Sequence, residues 1–208
     1  MARIKICGLM RDEDIHAVNG ALPDYIGFVF AKSRRQVDGE RAKAMKALLN
    51  PSIKAVGVFV NEEMDRIIQL CESGAIDLIQ LHGDENGDYI KALKYRVPNR
   101  IIKAVRVRSP EDIKRAMEFS CDYLLLDTWH EQHYGGTGNI FDWSLVPKTI
   151  KPFFLAGGIN SANIAQAIEK LSPYAVDVSS GVETDGYKDP AKIMEIVSKT
   201  RRIEGLKT

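Results

Sequence analysis

Short β-rich runs alternate with amphipathic stretches along the whole chain, and this alternation constrains the fold more than any other feature. Strand-like runs fall near Ile4–Cys7, Tyr25–Phe30, Lys54–Val60, Leu78–Leu81, Ile101–Val105, Tyr123–Asp127, Phe153–Ala156 and Ala175–Ser179. Helical stretches with recognisable starts lie between them. After Asn61 and two glutamates, Met64, Ile67, Ile68 and Cys71 share one helical face. Ser109-Pro110-Glu111-Asp112 supplies an N-cap, a proline at the first helical position and acids in the first turn, and Asp189-Pro190 opens a last helix in the same way. Gly157-Gly158 leads into Ile159-Asn160-Ser161, which reads as a further helix start. Eight strands, each followed by a helix or helix-like segment, predict a closed (β/α)8 TIM barrel, with residues 1–208 forming a single domain. An open doubly wound sheet is the alternative, but no GxGxxG follows the first strand.

The bulk numbers narrow the partners. At 208 residues and 45% apolar, the chain can fill one sizeable core. Twenty-nine basic and 28 acidic residues leave a net charge of +1, with no basic block to hold nucleic acid. No apolar run approaches the roughly 18 residues of a membrane span, and the N-terminus lacks a secretory apolar stretch. Cys7, Cys71 and Cys121 are an odd count without CxxC spacing, which points away from disulfides and zinc and toward a reducing, cytoplasmic setting.

In a barrel, residues at the C-terminal ends of the strands converge on one mouth. Cys7, His82, Asp127, Gly157 and Ser180 all stand at or just past such ends. Side chains alternate along a strand, so Lys5 and Cys7 face the barrel interior while Ile4 and Ile6 face the helices. A lysine inside is costly unless paired. Asp177 on strand eight, the neighbour of strand one in a closed barrel, is the expected partner. The ammonium would then favour the Cys7 thiolate. The plain alternative is that Cys7 is an inert buried thiol, and that Asp127 is a cap or loop carboxylate. On strand four, Gln80 and His82 share a face, and His82 is either a ligand contact or a satisfied structural histidine. The two glycine-containing turns, Gly157-Gly158 and Ser179-Ser180-Gly181, suit a phosphate, whose oxygens approach glycine backbone closely. They are also compatible with tight βα turns alone. Lys32-Ser33-Arg34-Arg35 is either a solvated loop or the source of a bidentate carboxylate clamp. Trp143 reads as a core anchor. Trp129, His130 and His133 precede Gly135-Gly136-Thr137-Gly138, and are given no role.

Taken together, Lys5-Ile6-Cys7-Gly8, Gly27-Phe28-Val29-Phe30, Gln80-Leu81-His82-Gly83, Leu126-Asp127, Leu155-Ala156-Gly157-Gly158 and Asp177-Val178-Ser179-Ser180-Gly181-Val182-Glu183 resemble the phosphoribosylanthranilate isomerases of tryptophan biosynthesis. The resemblance runs through nearly the whole chain in the family's order. It implies an Amadori rearrangement of N-(5-phosphoribosyl)anthranilate, with Asp127 as general acid and Cys7 as general base. It further implies Arg35 on the anthranilate carboxylate, and Gly157, Gly158, Ser180 and Gly181 on the phosphate, with His82 lining the pocket. Neither a cofactor nor a metal is called for. The expected partner is a small phosphorylated substrate, with no nucleic acid and no membrane, and the chain would act as a monomer or homodimer. The related isomerase of histidine biosynthesis fits less well, because it uses aspartates for both proton transfers. A barrel that binds a phosphorylated metabolite without turning it over is the non-enzymatic alternative.

Overall fold

In the computed structural model, which describes residues 3–128, 141–148 and 151–205, eight parallel strands close into one barrel. They are β1 (Arg3–Cys7), β2 (Tyr25–Val29), β3 (Lys54–Phe59), β4 (Leu78–Leu81), β5 (Arg100–Val107), β6 (Tyr123–Thr128), β7 (Phe153–Leu155) and β8 (Ala175–Val178), with β8 pairing back onto β1. Around them lie α1 (Asp12–Ala21), α2 (Gly39–Leu48), α3 (Met64–Glu72), α4 (Gly87–Arg96), α5 (Pro110–Met117), α6 (Ile164–Leu171) and α7 (Pro190–Gly205). Between β6 and β7 the described residues hold a 3-10 turn, Trp143–Leu145, where strict alternation would put a full helix. Trp143 is buried there, as expected of a core anchor.

Strand periodicity divides the side chains between two cores. Ile4, Ile6, Ile26, Phe28, Ile79, Leu81, Leu124, Leu126, Val176 and Val178 belong to the larger one, shared by strands and helices. Burying such a side chain contributes about 1.5–3 kcal/mol before entropy is counted. Tyr25, Val56, Leu78, Ile102, Leu125 and Phe154 fill the barrel itself. At its N-terminal end Phe154 meets Tyr25 and Tyr123 edge-on, at ring-centre distances of 5.5 and 5.6 Å. The Tyr174 hydroxyl lies 3.0 Å from that of Tyr25 and 3.3 Å from that of Tyr123. This aromatic plug leaves the opposite end to carry a cavity.

Local signals hold where the chain is unconstrained by the mouth. Ser109 caps α5 in a reciprocal box with Asp112, and Asp189 Oδ1 accepts from Ala191 N at the start of α7. Two expected starts move. Asn61 does not cap α3: it takes a left-handed φ of 51° and its Oδ1 accepts from Asp84 N, so Glu63 precedes the helix instead. Nor does α6 begin at Asn160. Residues 160–163 form a turn in which both Asn160 Nδ2 and Asn163 Nδ2 donate to Gly158 O, at 3.1 and 2.9 Å. Those asparagines brace the glycine turn, and the helix starts only at Ile164.

Candidate active site

A cavity of about 430 Å³ opens at the C-terminal ends of the strands. Cys7, Arg35, His82, Asp127, Gly157, Gly158 and Ser180 all line it, although they come from six different βα connections. Gly181, next to Ser180 in the chain, is not among the residues that line it. A Cβ at Gly181 would sit 2.2 Å from Ile159 O, so this glycine lets the turn after β8 pack directly on the turn after β7. Gly157 and Gly158 adopt φ of 80° and 66°, a region open to glycine but strained for other residues. The loop residues Trp129, His130 and His133 lie outside the described residues.

The polar floor begins at Lys5, fully buried on β1. Barrel closure sets Lys5 opposite Asp177, and its Nζ donates to Asp177 Oδ1 and Oδ2 at 3.1 and 3.0 Å. The ion pair expected from strand parity is therefore present. A third donation reaches Gln80 Oε1 at 2.8 Å. Burial pulls the Lys5 pKa down, but Asp177 and the nearby Cys7 more than offset it, and the net shift is upward. Gln80 Nε2 lies 2.8 Å from His82 Nδ1, and His82 Nε2 lies 3.2 Å from Asp127 Oδ2. That last approach is off-line for a full hydrogen bond, so the buried Nε2 has no in-line partner. Asp127 Oδ1 accepts from Thr128 N at 2.8 Å. An ordered polar line thus crosses the barrel from Asp177 to Asp127.

The Lys5 ammonium favours the Cys7 thiolate, as expected, but it does not prevail and the thiol is pushed up. Burial is the main cause and Asp177 adds to it, against the opposing pull of Lys5 and Lys188. Depth outweighs two cations, and the resting group is a thiol. Gly27 on β2 makes its place: a Cβ there would sit 2.6 Å from Cys7 Sγ.

At the rim the fork of Arg35 is turned on a carboxylate of the chain itself, Glu183, where the sequence suggested a solvated loop or a clamp for a substrate carboxylate. Arg35 Nε and Nη2 donate to Glu183 Oε1 and Oε2 at 2.8 and 2.9 Å. Arg34 Nη2 reaches Glu183 Oε2 at 2.6 Å, and buried Lys188 Nζ reaches Oε1 at 2.7 Å. Three cations share one carboxylate, which leaves net positive charge at the rim. Burial raises the Glu183 pKa, but Arg35 and Lys188 outweigh it and hold the carboxyl below its ordinary value. Burial is also the largest influence on Lys188, whose pKa falls. Nothing in the local sequence gives Glu183, Lys188 or Gly27 a part in the site. The first two meet the site through the hairpin of β9 (Glu183–Thr184) and β10 (Tyr187–Lys188), which no periodicity announces.

Fold and cavity together define the class: a (β/α)8-barrel enzyme with a small-molecule site at the C-terminal mouth. The family model of N-(5'-phosphoribosyl)anthranilate (PRA) isomerase matches residues 4–199. An N-(5'-phosphoribosyl)anthranilate isomerase from Endomicrobium trichonymphae is 50% identical over 203 residues, covering 98% of this chain and all of that one. The crystal structure of the phosphoribosyl anthranilate isomerase from Thermotoga maritima superposes with a TM-score of 0.86 at 36% identity, over 97% of this chain and 100% of that one. A phosphoribosyl anthranilate isomerase in complex with reduced 1-(o-carboxyphenylamino)-1-deoxyribulose 5-phosphate aligns with a TM-score of 0.83 at 36% identity, over the same shares. The chain belongs to the phosphoribosylanthranilate isomerase family.

Proposed function

We propose that this chain converts N-(5-phosphoribosyl)anthranilate into 1-(2-carboxyphenylamino)-1-deoxyribulose 5-phosphate, with Asp127 as acid and Cys7 as base. The observation that carries the assignment is that these two chain-distant residues line one cavity, beside the glycine turns and Arg35. Asp127 donates a proton to the furanose ring oxygen as the C1–O bond breaks, and the anilino nitrogen lone pair forms the C1=N bond of a cationic imine. Cys7, as thiolate, removes the C2 proton. The electrons of that C–H bond form C1=C2 while the C=N pair returns to nitrogen, giving an enolamine. Protonation at C1 and loss of the C2 hydroxyl proton then yield the ketose. General acid–base steps of this kind each contribute about 10²–10⁴-fold.

The raised Cys7 thiol fits this sequence. Thiolate is scarce in the resting site, and the cationic imine supplies positive charge beside Cys7 at the step that needs a base. Lys5 and Lys188 add to that field. Arg35 takes the anthranilate carboxylate with the N–H groups that Glu183 leaves. Gly157, Gly158, Ser180 and Gly181 receive the phosphate, and the asparagine brace on Gly158 O keeps that turn formed before the ligand arrives. His82 lines the reacting end.

The near-neutral charge supports a small anionic substrate over a polyanion. Among the described residues no helix is long and apolar enough to cross a membrane. Every assigned side chain comes from one chain, so monomer and homodimer alike would carry the site. Three free cysteines suit a reducing cytoplasm.

Steady-state turnover of N-(5-phosphoribosyl)anthranilate, followed by its fluorescence, tests the assignment with wild type, Cys7→Ala and Asp127→Asn. Fast wild-type conversion and a loss of several orders of magnitude in each variant are expected. Binding without conversion by the wild type would replace the isomerase with a metabolite-binding barrel.

A further inference from the structure

Lys5 reaches across the barrel to Gln80 rather than ending at Asp177, and this third contact sets a direction. An ammonium carries only donors, so the Gln80 atom 2.8 Å from Lys5 Nζ must be the carbonyl oxygen. The amide nitrogen of Gln80 is then the atom facing His82 Nδ1 at 2.8 Å, and an amide nitrogen can only donate. His82 Nδ1 is therefore an acceptor without a proton. The imidazole proton must sit on Nε2, which is buried, without an in-line partner, and 3.2 Å from Asp127 Oδ2.

We propose that Gln80 is a positioning residue, which uses the fixed charge of Lys5 to hold His82 as its Nε2–H tautomer and so aims an N–H donor at Asp127. Asp127 Oδ1 already accepts from the Thr128 amide. Donation from His82 to Oδ2 gives each carboxylate oxygen one donor at the moment the acid has given up its proton. The off-line geometry of the unliganded site is of the kind that tightens in a substrate complex. A passive reading, in which Gln80 merely fills the barrel, has no need for this one-way order of donors and acceptors. The functional half of the proposal rests on Asp127 being the acid. The tautomer does not.

Two-bond proton–nitrogen correlations of 15N-histidine-labelled protein, without substrate, read the tautomer directly. The chain has four histidines, and His82→Asn assigns the signal by its loss. The expected result is an unprotonated Nδ1 and a protonated Nε2. Gln80→Leu should blur that pattern into a mixture. Gln80→Glu, whose carboxylate accepts from both sides, should move the proton to Nδ1 or leave both nitrogens protonated. In turnover, Gln80→Leu should lower kcat at least tenfold while KM changes less than threefold. A wild-type His82 protonated on Nδ1 overturns the proposal, and so does a Gln80→Leu spectrum identical to wild type. Because the spectra need no turnover, a wild-type protein that fails to isomerise sinks the reaction and not the tautomer.

Discussion

Replacing Asp177 by Asn tests how much of the site rests on one buried charge. Lys5 is fully buried, and its two contacts to Asp177 are its only ones to a carboxylate among those described. Removing one partner of a buried pair costs roughly 3–5 kcal/mol, because an uncompensated ion remains. Asn keeps one carbonyl acceptor, which returns a hydrogen bond of about 1–1.5 kcal/mol. The net loss should be about 3 kcal/mol, and at roughly 3 °C per kcal/mol for a chain of this size Tm should fall by about 9 °C. Urea unfolding measures it. The Lys5→Met, Asp177→Asn double variant should lose less than the two single losses added. Cys7 should respond in the opposite sense. Asp177 is one of the influences holding that thiol up, so its neutralisation should let the thiolate form at lower pH, read from thiolate absorbance or alkylation rate. An unchanged unfolding midpoint together with an unchanged Cys7 titration would mean that the pair carries neither stability nor field.

Glycines at the mouth give two further tests. Gly27→Ala would place a methyl 2.6 Å from Cys7 Sγ, so we expect kcat to fall at least tenfold with a stability loss of about 1–3 kcal/mol, measured by turnover and urea unfolding. Gly157→Ala meets both a φ of 80° and Thr128 Oγ1 at 2.3 Å; a loss of about 1–3 kcal/mol and a raised KM should follow, and wild-type values for both would show that this turn carries no strain. Glu183 links stability to pH. Its folded-state carboxyl lies below the ordinary value, so its contribution is complete above that value and is lost as pH falls through the depressed one. Urea midpoints between about pH 3 and 7 should therefore drop less steeply for Glu183→Gln than for wild type.

The barrel was legible because each strand is short, apolar and set between amphipathic stretches, and the parity of Lys5 and Asp177 was enough to pair them once closure was assumed. Observed strand bounds differ from the expected ones by at most two residues at either end, and those of β4 coincide. That Cys7, Asp127, His82 and the glycine turns meet at one cavity was legible because barrel mouths gather strand ends. What stayed hidden depends on distance and depth. The sign of the Cys7 shift is a balance between burial and two ammoniums, and composition cannot weigh it. Asn61 looks like a cap but serves the neighbouring loop through Asp84 N. Glu183 and Lys188 sit on a hairpin after β8 and reach Arg35 from the far end of the chain. Gly27 is a glycine because a side chain on another strand needs its space, and nothing local to residue 27 says so.

In the proposed mechanism Cys7 takes the C2 proton of the ring-opened substrate. A single-turnover experiment with substrate deuterated at C2 measures that step apart from product release. Conversion by the wild type should slow several-fold with deuterium, and Cys7→Ala should leave almost no conversion with either isotope. An unaffected wild-type rate, with Cys7→Ala retaining activity within tenfold, would place the base elsewhere in the cavity.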